Sequence, residues 1–330
     1  IQTSPTSISF GNQRVGVPSG NQNLTISNPT GASSFQYTVT LDGGAAGHYV
    51  LSCGGGGSAC FTNRTLAGGQ SETVQVAFQP AATGPRNGNL VITAGAAANS
   101  PRSVAVTGTG VAPAMTLTPI MTVPFGTVDI NTVGGTTQSI TVGNVAGTDT
   151  LSISSITVDN DVTGNFTFAF GSCTSGQTCN GPINVAAGAS TTVIVRCDPS
   201  SIGNKTGRLT FNSDDAMPIR QLDLACTGAT PDLQITGTPL LDFGNQRINT
   251  TSATTRTFTI GNPAGATTST LTYNVTETSP HFSIACTPAC SGSLPPSATT
   301  VSVTVSFRPT LAGPVTGNIT VATNDVSSPS

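Results

Sequence analysis

Phe78-Gln79-Pro80, followed by Gly84, Gly88 and the run Asn89-Leu90-Val91-Ile92, begins a pattern that occurs three times in this chain. The second copy is Cys197-Asp198-Pro199, Gly203, Gly207 and Arg208-Leu209-Thr210-Phe211. The third is Phe307-Arg308-Pro309, Gly313, Gly317 and Asn318-Ile319-Thr320-Val321. Each has an apolar residue two before proline, glycine four and eight residues after it, and then a strand-forming run. The pattern reads as the end of one β-strand, a turn shaped by proline and glycine, and the next strand. A motif fixed at a period above about one hundred residues marks three copies of one unit.

Outward from the motif the copies stay in step. Ser7-Ile8-Ser9-Phe10-Gly11-Asn12-Gln13-Arg14 is matched by Leu241-Asp242-Phe243-Gly244-Asn245-Gln246-Arg247 and, more distantly, by Val123-Pro124-Phe125-Gly126-Thr127-Val128. The phenylalanines are 125 − 10 = 115 and 243 − 125 = 118 residues apart, the size of one β-sandwich. A second strand ends each time at an asparagine turn: Asn28-Pro29, Asn144-Val145, Asn262-Pro263. The strand before the motif alternates strictly, as Val74/Val76/Phe78, Val193/Val195/Cys197 and Val303/Val305/Phe307. Period two with one apolar face means one side in a core and one in water. Seven short strands per copy predict an all-β chain of three tandem immunoglobulin-like sandwiches, over residues 1–111, 112–230 and 231–330. The connections Val111-Ala112-Pro113 and Ala229-Thr230-Pro231 are too short and stiff for free linkers, so a rod is expected.

The third copy ends without the seventh strand that Val104/Val106 and Leu222/Leu224 provide in the others. Its sixth strand, Asn318, Ile319, Thr320 and Val321, is then an open edge able to accept a strand. Two readings stand: the natural chain continues, or a neighbour donates the strand, as in pilins. Pilins donate from an extension ahead of the domain, and Ile1 already lies in a first strand, which favours continuation.

Of the 330 residues only 8% are charged, Lys205 is the single lysine, and the net charge is -3. There is no basic field for nucleic acid or an anionic membrane surface. No apolar run approaches the roughly 20 residues of a membrane-spanning helix, and none reads as a signal peptide. A chain opening at Ile1 is expected to be a processed chain or a fragment.

The eight cysteines fall as Cys53/Cys60, Cys173/Cys179, Cys197/Cys226 and Cys286/Cys290. Three of these pairs occupy one equivalent loop in the three copies, which suggests disulfides and an oxidising, extracellular or cell-surface compartment. A structural zinc site takes four ligands, and one local pair per copy does not supply them. Cys197 and Cys226 lie in phase with inward residues and are expected to bridge the end of the middle copy.

Catalytic constellations are lacking, and no cofactor or metal site is expected. His48 and His281 sit at equivalent positions, with Asn165 between them in the series, and read as turn or strand-start residues. Asp159-Asn160-Asp161 and Asp214-Asp215 read as turns or as partial calcium ligands, without a full ligand loop. Sequons occur at Asn23, Asn63, Asn165, Asn204, Asn249, Asn274 and Asn318.

The Phe-Gly opening, the Phe-x-Pro…Gly…Gly strand pair, the Thr323-Asn324-Asp325 turn and the Val-x-Val-Thr-Gly-x-Gly close resemble the ASH/HYDIN-type (choice-of-anchor D-like) immunoglobulin-like domains. That resemblance implies a structural or adhesive module, since bacterial tandem versions occur in secreted and cell-surface proteins. The paired cysteines depart from the cytosolic members of the group. The expectation is a segment of a filament, sheath or surface fibre that contacts copies of itself or other surface proteins. The alternative is a spacer or carbohydrate-binding module of a larger secreted protein, which exposed aromatics would favour.

Overall fold

Strands that alternate as Val74, Val76 and Phe78 do can bury only one face, so the chain folds as pairs of sheets closing over those faces. The structure, a computed structural model, describes all residues except 54–61, 96, 98, 131, 132, 172, 266, 267 and 328–330. Its regular elements are all β-strands.

The first sandwich opens with β1 (Gln2–Ser4), β2 (Ser7–Arg14), β3 (Gln22–Ser27), β4 (Phe35–Gly43) and β5 (Tyr49–Cys53). It continues with β6 (Arg64–Leu66), β7 (Ser71–Phe78), β8 (Gly84–Pro85), β9 (Gly88–Thr93) and β10 (Arg102–Val111). The second opens with β11 (Thr116–Thr118), β12 (Thr122–Asp129), β13 (Thr136–Gly143), β14 (Leu151–Asp159) and β15 (Phe166–Phe170). It closes with β16 (Cys173–Gly176), β17 (Thr178–Val185), β18 (Ser190–Cys197), β19 (Gly203–Ser213) and β20 (Ile219–Ala229). The third has β21 (Gln234–Thr236), β22 (Arg256–Asn262), β23 (Leu271–Glu277), β24 (Phe282–Thr287), β25 (Ser291–Leu294), β26 (Ser297–Phe307) and β27 (Ile319–Thr323).

In the first sandwich one sheet runs β1-β3-β7-β5 and the other β2-β10-β9-β4-β6, and the second repeats this order with β11-β13-β18-β15-β16 and β12-β20-β19-β14-β17. The opening strand is thus split between sheets, β1 pairing with β3 and β2 with β10. Pro5 lies between the two halves, as Pro119 does in the second sandwich, and proline cannot donate to a ladder. This split and the short strands flanking the cysteine loops add to the seven strands per copy expected from the sequence. Each sandwich encloses its own core, and none of the three clusters shares a residue with another.

The motif's two glycines have different reasons. Gly84, Gly203 and Gly313 have φ of +94°, +94° and +111°, the region that favours glycine. Gly207 and Gly317 instead need the absence of a side chain: an added Cβ would lie 2.9 Å from the Phe166 ring and 2.8 Å from the Phe282 ring.

The third sandwich has two sheets, β21-β22-β26-β24 and β25-β23-β27, with no counterpart of β10 or β20 among the described residues. Its absence removes more than one strand. Residues 241–247 match β2 and β12 in sequence but make no ladder, because in the other sandwiches those strands pair in parallel with β10 and β20. Residues 313–318 also leave the sheet, whereas their counterparts begin β19 at Gly203 and pair with β20.

Candidate functional site

Two places combine chemistry and position: the junctions between sandwiches, and the slot left open in the third.

The junctions are built on the asparagine that directly follows β13 and that ends β22. Asn144 is fully buried, and its Nδ2 donates to the carbonyls of Asp149 (2.8 Å) and Val185 (3.0 Å). Its Oδ1 accepts from the backbone N–H of Ala114 in the connection from the first sandwich, at 2.9 Å. Asn262 repeats this, donating to Ser269 (2.9 Å) and Leu294 (2.7 Å) and accepting from Asp232 N–H at 3.1 Å. Asn28 makes the same two donor bonds, to Ser33 and Leu66. One amide therefore ties a loop, a strand end and the incoming chain.

Side chains from the preceding sandwich complete each junction. Arg14, at the end of β2, reaches Asp149 (2.9 Å), Asp214 and the carbonyl of Thr150 (2.9 Å). The hydrogen bond to Asp214 is the main cause holding the Arg14 pKa above its ordinary value. Asp129, the matching residue at the end of β12, accepts from Ser269 Oγ at 2.8 Å. Both junctions join the same end of one sandwich to the opposite end of the next.

The slot is a cavity of about 550 Å³ in the third sandwich. Leu241, Phe243, Phe258, Phe282, Ile319 and Val321 form much of its apolar lining. In the first two sandwiches the equivalents of Ile319 and Val321 (Leu90, Ile92, Leu209 and Phe211) are fully buried, whereas Ile319 is half-buried. The proposed acceptor edge thus lies here, with Ile319, Thr320 and Val321 in β27 and Asn318 just ahead of it.

The other sequence candidates have structural surroundings. Disulfides join Cys173–Cys179, Cys197–Cys226 and Cys286–Cys290, and none of the described cysteines is free. Cys60, named with Cys53, lies outside the described residues. The long bridge ties β18 to β20 where the first sandwich sets Phe78 against Gly108. His48 Nδ1 accepts from the N–H of Ala81 at 3.0 Å, and His281 Nδ1 from that of Thr310 at 3.2 Å. Asn165 Oδ1 accepts from Ser200 N–H at 3.4 Å, so all three cap the residue after the motif proline.

Asp161 caps Phe166 N–H at 2.6 Å, Asp159 accepts from Thr210 Oγ1 at 2.6 Å, and Asp215 pairs with Arg220 at 3.1 Å. Among the described residues no three His, Cys, Asp or Glu side chains group as metal ligands. Asn165 is buried, and the other six sequon asparagines are exposed. No helix among the described residues is long and apolar enough to cross a membrane.

The junction residues Asn144, Asn262 and Arg14 were not singled out by sequence, where the asparagines read only as turn residues. The available signal was the same residue closing the second strand of all three copies.

No curated protein matches this chain in sequence. Among solved structures it is similar to the secreted serine protease VesC from Vibrio cholerae, at 12% identity and a TM-score of 0.27, over 78% of this chain and 58% of that one. The chain thus spans little more than half of that protease. It is similar to the class 5 fimbriae chaperone CfaA at 8% identity and TM-score 0.25, over 68% and 98% of the two chains. The Yersinia pseudotuberculosis adhesin InvE matches at 13% identity and TM-score 0.25, over 69% and 58%. Likenesses this distant carry no argument about function. Residues 233–330, the third sandwich, match the model of the ASH family (Abnormal spindle-like microcephaly-associated, ASPM-SPD-2-Hydin).

Proposed function

We propose that the chain is a structural segment of an extracellular or cell-surface fibre. In this reading it consists of units 1–111, 112–230 and 231–330 stacked head to tail, and its partners are copies of itself or other surface proteins. The observation that carries the reading is the repeated junction, in which a buried asparagine holds the incoming backbone and no free linker intervenes. A binding protein that only needs spaced units has no use for such a clamp. The disulfides support an oxidising compartment. A surface poor in charge lowers the desolvation cost of lateral contact between copies.

The reading assigns no catalysis, since the only two histidines serve backbone turns. The carbohydrate-binding alternative needs aromatic faces in water. The chain has no tryptophan, and Tyr37, Tyr49 and Tyr273 are all buried. Electron microscopy of the native material tests the proposal. Filaments with beads along their axis are expected, and dispersed particles at high concentration would contradict it.

A further inference from the structure

The cysteine loop treats the edge of its sheet differently in the second and third sandwiches. In the second, the chain after β15 folds back as β16, which pairs with β15 and covers it. The bridged cysteines there, Cys173 and Cys179, are 6 residues apart, and Cys286 and Cys290 are only 4 apart. With residues 288–290 alone between β24 and β25, the shorter loop has no length for a covering strand, and β25 goes to the other sheet. β24 therefore ends its sheet, paired with β26 on one side and with no other strand among the described residues. Ile284 is half-buried, whereas Phe168, its counterpart in β15, is buried. β10 and β20 lie in the opposite sheet of their sandwiches, so a seventh strand on the third would leave this edge unchanged.

Sheet edges are commonly protected by charge, proline or a bulge. β24 reads Phe282-Ser283-Ile284-Ala285-Cys286-Thr287 and has none of these. In an antiparallel ladder the backbone groups of successive residues point alternately to the two sides. Arg308 N–H donates to the His281 carbonyl at 2.7 Å, so Ser283, Ala285 and Thr287 turn their N–H and C=O groups toward β26. Those of Ile284 and Cys286 turn to the free side. Beyond them, Phe282 N–H already donates to the Ser279 carbonyl at 3.1 Å, and Pro288 has no N–H to give. One donor and one acceptor are thus offered on each side of Ala285.

That arrangement is complementary to itself. We propose that the free edge of β24 is a two-fold contact with β24 of a second copy of this chain, the strands antiparallel and Ala285 opposite Ala285 on the axis. Ile284 of each copy exchanges both backbone hydrogen bonds with Cys286 of the other. Ala285 takes the close, non-hydrogen-bonded position, where Cα atoms approach to about 4.5 Å and a methyl fits. Ser283 meets Thr287 on the outer face, and the strand brings no charge to face its like. The contact adds a lateral partner to the fibre reading, and rests on that reading only for the choice of copies as partners.

Sedimentation velocity of the whole chain over a concentration series reads the contact. A reversible monomer–dimer equilibrium is expected. Ala285→Lys or Ala285→Glu sets like charges opposite each other and should weaken the dimer about fivefold or more. Mixing the two variants should restore it, since lysine then faces glutamate. Ala285 is exposed, so both variants keep the fold. Thr236→Lys, on β21 at the other edge of the same sheet, adds the same charge and should leave the dimer unchanged. A chain that stays monomeric, a dimer indifferent to Ala285, an equal loss in Thr236→Lys, or no recovery on mixing overturns the edge contact. A dimer without native fibres sinks the fibre reading and leaves the contact intact, and native fibres from a chain that is monomeric in solution do the reverse.

Discussion

At Asn144 one side chain satisfies two carbonyls and one N–H, all from different segments and out of contact with water. Asn144→Ala leaves those groups without a partner, and buried unsatisfied groups cost about 1–3 kcal/mol each, less where water reaches them. A loss of about 2–4 kcal/mol is expected, read from the midpoint of denaturant unfolding. Wild-type stability in the variant would remove the clamp from the account. The motif glycines separate in the same assay. Gly207→Ala drives a Cβ against the Phe166 ring and should cost more than Gly84→Ala, where only a left-handed backbone of about 1–2 kcal/mol is at stake. The histidine role was legible because Asn165 stands in the same series: His Nδ1 and Asn Oδ1 can accept from one turn N–H. The asparagine clamp was not, since a turn asparagine and a buried one look alike until its partners, 5 and 41 residues away, are known.

Among elements, Phe-Gly-Asn-Gln-Arg is strand at 10–14 and unpaired at 243–247. An identical run with two outcomes shows that strand formation here is decided by the neighbour and not by the residues. That residues 241–247 and 313–318 lie outside any ladder was not legible in the repeat, because it depends on pairing that only the fold displays. The long bridge Cys197–Cys226 closes a separation of 29 residues and the local ones 6 and 4. On the chain-entropy argument it contributes about 3–4 kcal/mol, against about 2 for each local bridge. Reduction should therefore lower the unfolding temperature of the second sandwich most. Equal shifts in all three would contradict this.

The network on β4, β6 and β7 makes a pH prediction. Tyr37 donates to Glu72 at 2.5 Å and Arg64 pairs with it. Burial alone would raise the Glu72 carboxyl, but the hydrogen bonds from Arg64 and Tyr37 outweigh it and hold the group below its ordinary value. A lowered folded value means stability present above the unfolded pKa and lost as pH falls through the folded one. Glu72→Gln should flatten that acid limb in pH-dependent unfolding, and an unchanged limb would sink the assignment.

At the scale of the whole molecule, the ion pairs are secondary to the clamp. Arg14, Asp149 and Asp214 are each about one-third exposed, and such pairs are worth about 0–1 kcal/mol. Arg14→Ala should barely change stability but widen the angle between the first two sandwiches. The measurement that bears most directly on the account is small-angle X-ray scattering of the whole chain beside Asn144→Ala and Arg14→Ala. The account predicts an elongated, stiff particle three sandwiches long whose scattering becomes that of a hinged chain in the variants. A wild-type profile of a flexible string or a compact particle would contradict the head-to-tail rod on which the proposed function depends.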